Sequence, residues 1–385
     1  MLMAAVLSAW LQYGADGKPH LRAVTDAASC PTGTVDGREL PMQRRAAPRA
    51  GFPDLVCEAA VPPSARTVRV GESNVPAPVH DPQTIVVLGD TGCRIALLNV
   101  QSCDDPEAWP LPRTARTIAA LHPDLIVHVG DYLYRERGCP PLARCAGSPH
   151  GDVAAAWTAD WLAPAAPLFG AAPLILVRGN HEECDRNGIG WFRYLDPHDT
   201  TACSESTEPY AVDLGNLRLV IFDSAVAEDT GLDRSREPIY RRQFVHVRAL
   251  AVGAPQAWFV THRPPYTNDD ERSAMDGALA PFDLVLAGHI HFFAALNLAS
   301  LPPLIVNGEG GTKLDPDYAP LLRFATGGLT VEGDPFGSAH FGFAVYTRSA
   351  GGWSIALRDP DGTQRAHCTL EKRAVHCSNS EASHL

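Results

Sequence analysis

Positive charge is in short supply in this sequence: 32 lysines and arginines stand against 44 aspartates and glutamates, a formal net charge of −12. Such a chain has no broad basic face for displacing counterions, so no nucleic-acid-binding surface is expected. Long apolar runs are also missing. None approaches the roughly 18 residues of a membrane-spanning helix, so no transmembrane segment is expected and the chain reads as soluble. There are no internal repeats and no low-complexity tracts. The ten cysteines include no CxxC spacing, which removes the usual zinc ribbon and dithiol redox motifs.

What is present is the composition of a folded protein, 45% hydrophobic and 20% charged over 385 residues. The cysteines fall in close neighbours: Cys30 with Cys57, Cys93 with Cys103, Cys139 with Cys145, Cys184 with Cys203, and Cys368 with Cys377. An even number at such spacings reads as local disulfides in an oxidising compartment, so a secreted or periplasmic location is expected; free thiols in a cytosolic enzyme are the competing reading. The opening MLMAAVLSAWLQ is apolar but has no basic flank and no clear small-residue cleavage site. Either a leader lies upstream of this numbering or the chain is not exported.

Residues 1–82 read as a small β-rich region, with short strands broken by turn signals such as Gly14-Ala15-Asp16-Gly17 and a Pro- and Arg-rich stretch from Pro41 to Pro63. From Gln83 onward strands and helices alternate: TIVVLGD, the amphipathic ARTIAALHP, DLIVHVGD, DVAAAWTADWLAPAAPLF, helical until its prolines, and PLILVRGNH. LRLVIFDS, AWFVTH, DLVLAGHIH and PLIVNGEGG supply further strands, and FGFAVYTRSAGGWSIALRD a late hairpin. The strands are apolar throughout, as expected of strands covered on both faces. This pattern predicts an α/β fold of two packed sheets with helices outside.

Five strands end in side chains suited to binding a metal. Asp90 follows IVVLG, Asp131 and Tyr134 follow LIVHVG, and Asn180 and His181 follow LILVRG; His262 follows WFVT, and His289 and His291 follow LVLAG. Ligands of open α/β sheets collect at the carboxyl ends of the strands. Each fragment alone has an ordinary explanation: helix caps for the aspartates, a loop aromatic for Tyr134, a turn residue for Asn180, a shared polar crevice for His289 and His291. All of them in one chain, in this order, do not. His128, His246, His340, His367 and His376 read as structural or exposed, and Asp223 matches no ligand pattern.

The series GDTG, GDYLY, GNHE, VTHR and GHIH resembles the motifs of the calcineurin-like metallophosphoesterase superfamily, over roughly residues 83–346. Glycine at position 92, where most of the superfamily has histidine, together with a tyrosine at 134, is similar to the purple acid phosphatases. The resemblance implies a four-layer α/β/β/α sandwich for residues 83–385. It also implies that Asp90, Asp131, Tyr134 and His291 hold one metal, and that Asp131, Asn180, His262 and His289 hold a second, with Asp131 bridging. A phenolate with carboxylates suits Fe(III), and imidazoles with an amide oxygen suit a divalent ion such as Zn, Fe or Mn. Asp131 and His181 are the expected catalytic residues.

The expected function is hydrolysis of phosphate monoesters by metal-bound hydroxide, as an acid phosphatase. His181 is expected to donate to the leaving oxygen or to orient a ligand, with Glu182 as its partner. A phosphodiesterase on the same centre is the alternative, and a secreted metal- or phosphate-binding protein without turnover a third reading. After VTHR the chain offers Asn268, Asp269, Asp270 and Arg272 where plant-type purple acid phosphatases place histidines, and Phe292-Phe293 follows GHIH. Acidic side chains at a mouth repel anionic substrates, so this segment bears on substrate choice.

Overall fold

The computed structural model describes residues 6–97, 99–140, 144–229, 236–266, 269–315 and 329–380. Two large sheets, of eleven and seven strands, carry the fold, with a separate four-stranded sheet near the N-terminus. In the larger sheet Thr84–Leu88, Leu125–His128 and Leu174–Leu176 are adjacent and parallel. In the other, Leu217–Ile221, Gln256–Val260, Leu284–Ala287 and Leu304–Asn307 run parallel in that spatial order.

Strand side chains alternate between two faces, and here both faces are buried. Ile85, Val87, Leu125, Val127 and Ile175 meet Leu219, Trp258, Val260, Leu284 and Leu286 in the layer between the sheets. Their neighbours Val86, Leu88, Ile126, Leu174 and Leu176 turn outward onto Ala115 and Ile118 of the helix Leu111–Ala120 and onto Trp157, Trp161 and Trp191. On the far side Val220, Phe259, Val285 and Val306 pack against Tyr240, Phe244, Val247 and Ala251 of the helix Glu237–Ala251. The result is the expected α/β/β/α order of layers. Each such aliphatic side chain contributes about 1.5–3 kcal/mol when fully buried.

The N-terminal strands continue the larger sheet. Val6–Tyr13 pairs in parallel with Leu174–Leu176 and antiparallel with Pro19–Thr25, which in turn pairs with Leu55–Ala60. The apolar run weighed as an export signal is thus an inner strand from Val6 onward, with Trp10 and Leu11 fully buried. Only Thr32–Val35, Arg38–Pro41, Val68–Val70 and Ser73–Val75 form the separate small sheet. At the other edge the hairpin Phe343–Ser349 and Gly352–Arg358 docks on Thr84–Leu88, and two more strands, Gln364–Glu371 and Ala374–Asn379, follow.

The segment from Asp152 is helical until its prolines, as expected: Ala154–Trp157 runs straight into a π-helical turn, Thr158–Leu162, and a separate short turn, Ala166–Phe169, follows. Pro164 and Pro167 break the run. All five cysteine pairs expected from spacing are disulfides, a pattern that fits an extracellular protein. Among the described residues no helix is long and apolar enough to cross a membrane.

Candidate metal centre

The parallel strands of both sheets point their carboxyl ends at one place, and the side chains just beyond those ends converge there. The Tyr134 hydroxyl lies 2.6 Å from Asp131 Oδ2, 3.1 Å from Asp90 Oδ1 and 3.0 Å from His291 Nε2. Beside this group, Asp131 Oδ2 lies 3.3 Å from His262 Nε2. Asn180 Oδ1 lies 3.0 Å from His262 Nε2 and 2.9 Å from His289 Nδ1. All seven residues expected as ligands are therefore together, in two overlapping groups that share Asp131. Among the described residues Asp131, His262 and His289 have ligand atoms within 4.8 Å of one another.

The backbone is bent to make this possible. Asp90, Asp131 and His289 adopt left-handed conformations, with φ of 55°, 62° and 71°, uncommon for side-chain-bearing residues and concentrated where structure is held for function. His289 and His291 accordingly do not lie on one extended segment. A turn sends His289 to Asn180 and His291 to Tyr134, and the next strand, Phe293–Leu298, begins after both. Two glycines are required by close approach. A Cβ at Gly179 would stand 2.0 Å from Asp131 Oδ1, and one at Gly92 would meet the Tyr134 ring at 2.9 Å. The tighter contacts at Gly92 are with backbone, Tyr132 O and Tyr134 N at 2.7 Å, so the glycine lets the turn carrying Tyr134 pack against the one carrying Asp90.

The donor set fits cations. The Nδ1–H of His262 donates to Val129 O at 2.8 Å, that of His291 to Lys313 O at 3.1 Å, and the Nε2–H of His289 to Asp229 at 3.1 Å. For His289 and His291 these bonds fix the tautomer of the neutral ring and leave the other nitrogen facing the oxygens of Asn180 and Tyr134. Burial, with Arg263 as the next cause, pushes His289 down to about 4, and burial followed by the Arg94 charge pushes His291 well below its usual range, so both rings are neutral. Lone pairs aimed at oxygens are the arrangement a bound cation satisfies. Burial and then Asp131 hold Asp90 well above the carboxylate range; burial, Asp131 and Asp90 do the same to the Tyr134 phenol. For Asp131 burial opposes ionisation, yet His262 and His181 hold its carboxyl well below. The group gathers more negative charge than it can keep without cations.

His181 lies against the same group, its ring centroid 3.7 Å from that of Tyr134 and its Nε2 3.9 Å from Asp131 Oδ2. Its Nδ1 meets Glu136 Oε1 at 2.9 Å and Arg186 Nη2 at 2.8 Å, and Glu182, which the sequence suggested, is not its partner. Glu182 is fully buried and accepts from the backbone N–H of Asp131, Tyr132, Leu133 and Gly179 at 2.9–3.2 Å. It shapes the turn that presents Asp131 and Tyr134. Burial and then Asp131 push it up to about 8.

Further residues of the site carry no pattern of their own in the sequence. Arg94 stands over the Tyr134 ring at 5.0 Å, Arg186 Nε donates to Glu136 at 2.8 Å, and Asp229 joins Arg263 to His289. Arg263, the last residue of VTHR, had a sequence signal through its neighbour His262; Asp229 had none. In the segment after VTHR, Asn268 and the Asp269 side chain lie outside the described residues. Asp270 is fully buried on the helix Asp269–Ala274 and is not a charge at the mouth. Phe292 and Phe293 are both fully buried, in the outer and inner layers of the second sheet. Asp223 binds Arg178 at 3.2 Å and has no part in the centre.

A family model for calcineurin-like phosphoesterases matches residues 83–293. Among curated proteins no significant sequence match is found. Of the solved structures, the purple acid phosphatase isolated from yellow lupin (Lupinus luteus) seeds superposes with a TM-score of 0.60 at 15% identity, covering 92% of this chain and 72% of that one. PhoD superposes with a TM-score of 0.57 at 11% identity, covering 98% of this chain and 93% of that one. At these identities the likeness is one of fold.

Proposed function

The chain belongs to the calcineurin-like phosphoesterase family, and from that membership we propose that it is an acid phosphomonoesterase of the purple acid phosphatase kind. The family and fold imply a dimetal centre and a phosphate ester substrate. One observation carries the finer reading: the Tyr134 hydroxyl lies within 3.1 Å of Asp90, Asp131 and His291 at once. A phenolate in an otherwise carboxylate-rich group favours Fe(III). Asp90, Asp131, Tyr134 and His291 would hold that ion, and Asp131, Asn180, His262 and His289 a divalent partner, Zn, Fe or Mn. When bound, such a pair clamps the phosphoryl group and activates water for in-line displacement.

The chain's own residues do the rest. Glu136 orients His181 through Nδ1, leaving Nε2 toward the centre, from which the protonated imidazole gives its proton to the departing alcohol oxygen. The backbone N–H of His181 donates to Asp131 Oδ1 at 2.9 Å and fixes the carboxylate shared between the two groups. Asp229 orients His289 in the same manner from outside.

The test is hydrolysis of para-nitrophenyl phosphate against its bis-ester at acidic pH by metal-replete protein. The proposal expects the monoester to be the better substrate. Preference for the bis-ester makes the protein a diesterase on the same centre, and turnover of neither leaves only binding.

A further inference from the structure

Three arginines surround the centre, and two of them are neutralised. Arg186 donates to Glu136, and Arg263 to Asp229. Arg94 differs: among the described residues no carboxylate pairs with it, and its Nε is buried without a hydrogen-bond partner. Its guanidinium carbon stands 5.0 Å from the Tyr134 ring centroid, and its charge bears on both Tyr134 and His291.

The backbone at Arg94 is tied at several points. Cys93 is bonded to Cys103. The Arg94 N–H donates to Gln101 Oε1 at 3.0 Å, Gln101 Nε2 donates to Gly311 O at 2.8 Å, and the Ile95 N–H donates to Tyr134 O at 3.1 Å. Ordering a long cationic side chain beside a metal-binding group is unfavourable unless an anion meets it, and a pre-ordered cation makes that meeting tighter. The guanidinium is a planar fork suited to two phosphate oxygens. A phosphate monoester brings three terminal oxygens and up to two negative charges, whereas a diester brings two oxygens and one charge.

We propose that Arg94 is the residue that selects a monoester, its guanidinium taking the terminal oxygen and the second charge that a diester lacks. This rests on the phosphomonoesterase reading above and names the side chain that sets its substrate class. The Cys93–Cys103 disulfide and the Arg94 N–H bond to Gln101 then position the residue that carries the cation.

The experiment is titration of metal-replete full-length protein with inorganic phosphate, and with dimethyl phosphate by competition, for the native chain, Arg94→Ala and Arg94→Lys. Metal content is checked throughout. Arg94→Ala should weaken inorganic phosphate about 10- to 100-fold, the loss expected of a charge-assisted hydrogen bond. Dimethyl phosphate should change far less. Arg94→Lys, which keeps the charge and loses the fork, should fall between. An unchanged phosphate affinity overturns the proposal, as does an equal loss for both anions; so does a variant that alters only the visible spectrum, since the arginine would then serve the Tyr134 ring alone. Protein that binds phosphate through Arg94 yet hydrolyses nothing would end the enzymatic reading and keep this one. Monoester turnover with phosphate affinity independent of Arg94 would do the reverse.

Discussion

His181 is held between a carboxylate that orients it and a carboxylate it faces, Glu136 at 2.9 Å and Asp131 at 3.9 Å. Burial, opposed by Asp131 and Glu136, lowers its pKa from 6.5. The protonated form that can donate to a leaving group is therefore populated only below that depressed value, and donation fails as pH rises through it. His181→Ala should lower kcat about 10²–10⁴-fold with metal content unchanged, and the falling limb of kcat below pH 6.5 should go with it. Loss of metal in the variant would make His181 a support for Asp131 instead. The proposed metal ligands were legible because they follow apolar strands in a fixed order of motifs. Glu136, Asp229 and Arg94 were not: their roles come from contacts across the fold, and Asp229 reaches His289 from 60 residues away in the sequence.

Among the elements, the site-bearing strands were legible because a strand buried on both faces is apolar throughout, and the late hairpin because two alternating runs flank a Gly-Gly turn. The helix Glu237–Ala251 passed unread, although Tyr240, Phe244, Val247 and Ala251 repeat with helical spacing and Pro238 sits in its first turn. Arginines between those positions mask the periodicity. The N-terminal strands read correctly as β, but pairing between distant segments has no local signature, so their place in the larger sheet did not show. The loop after Leu304–Asn307 carries a consequence of its own. Glu309 is fully buried, neither carboxylate oxygen has a partner among the described residues, and burial pushes it up to about 8. Between pH 4.5 and 8 the unfolded chain ionises this group while the folded one keeps its proton, so stability falls as pH rises, by a few kcal/mol to order of magnitude. Glu309→Gln should flatten that fall; the melting temperatures of both proteins at pH 5 and pH 8 measure it. Equal pH dependence in the two would show that Glu309 ionises freely.

At the scale of the molecule, two sheets bring the ends of five strands to one point, and three of the five disulfides, Cys93–Cys103, Cys139–Cys145 and Cys184–Cys203, tie down the segments that follow Asp90, Tyr134 and His181. The fold and the family account for phosphoester chemistry on two metals; what they leave to this chain's own residues is the choice of metal, and that choice turns on Tyr134. A phenolate bound to Fe(III) absorbs in the visible, whereas one beside a pair of divalent ions does not. The direct measurement is elemental analysis of the purified protein together with its visible spectrum, for the native chain and Tyr134→Phe. The account predicts iron, a purple to pink native protein, and a Tyr134→Phe variant that loses the colour yet retains some hydrolysis. A colourless, fully active protein containing no iron would contradict it.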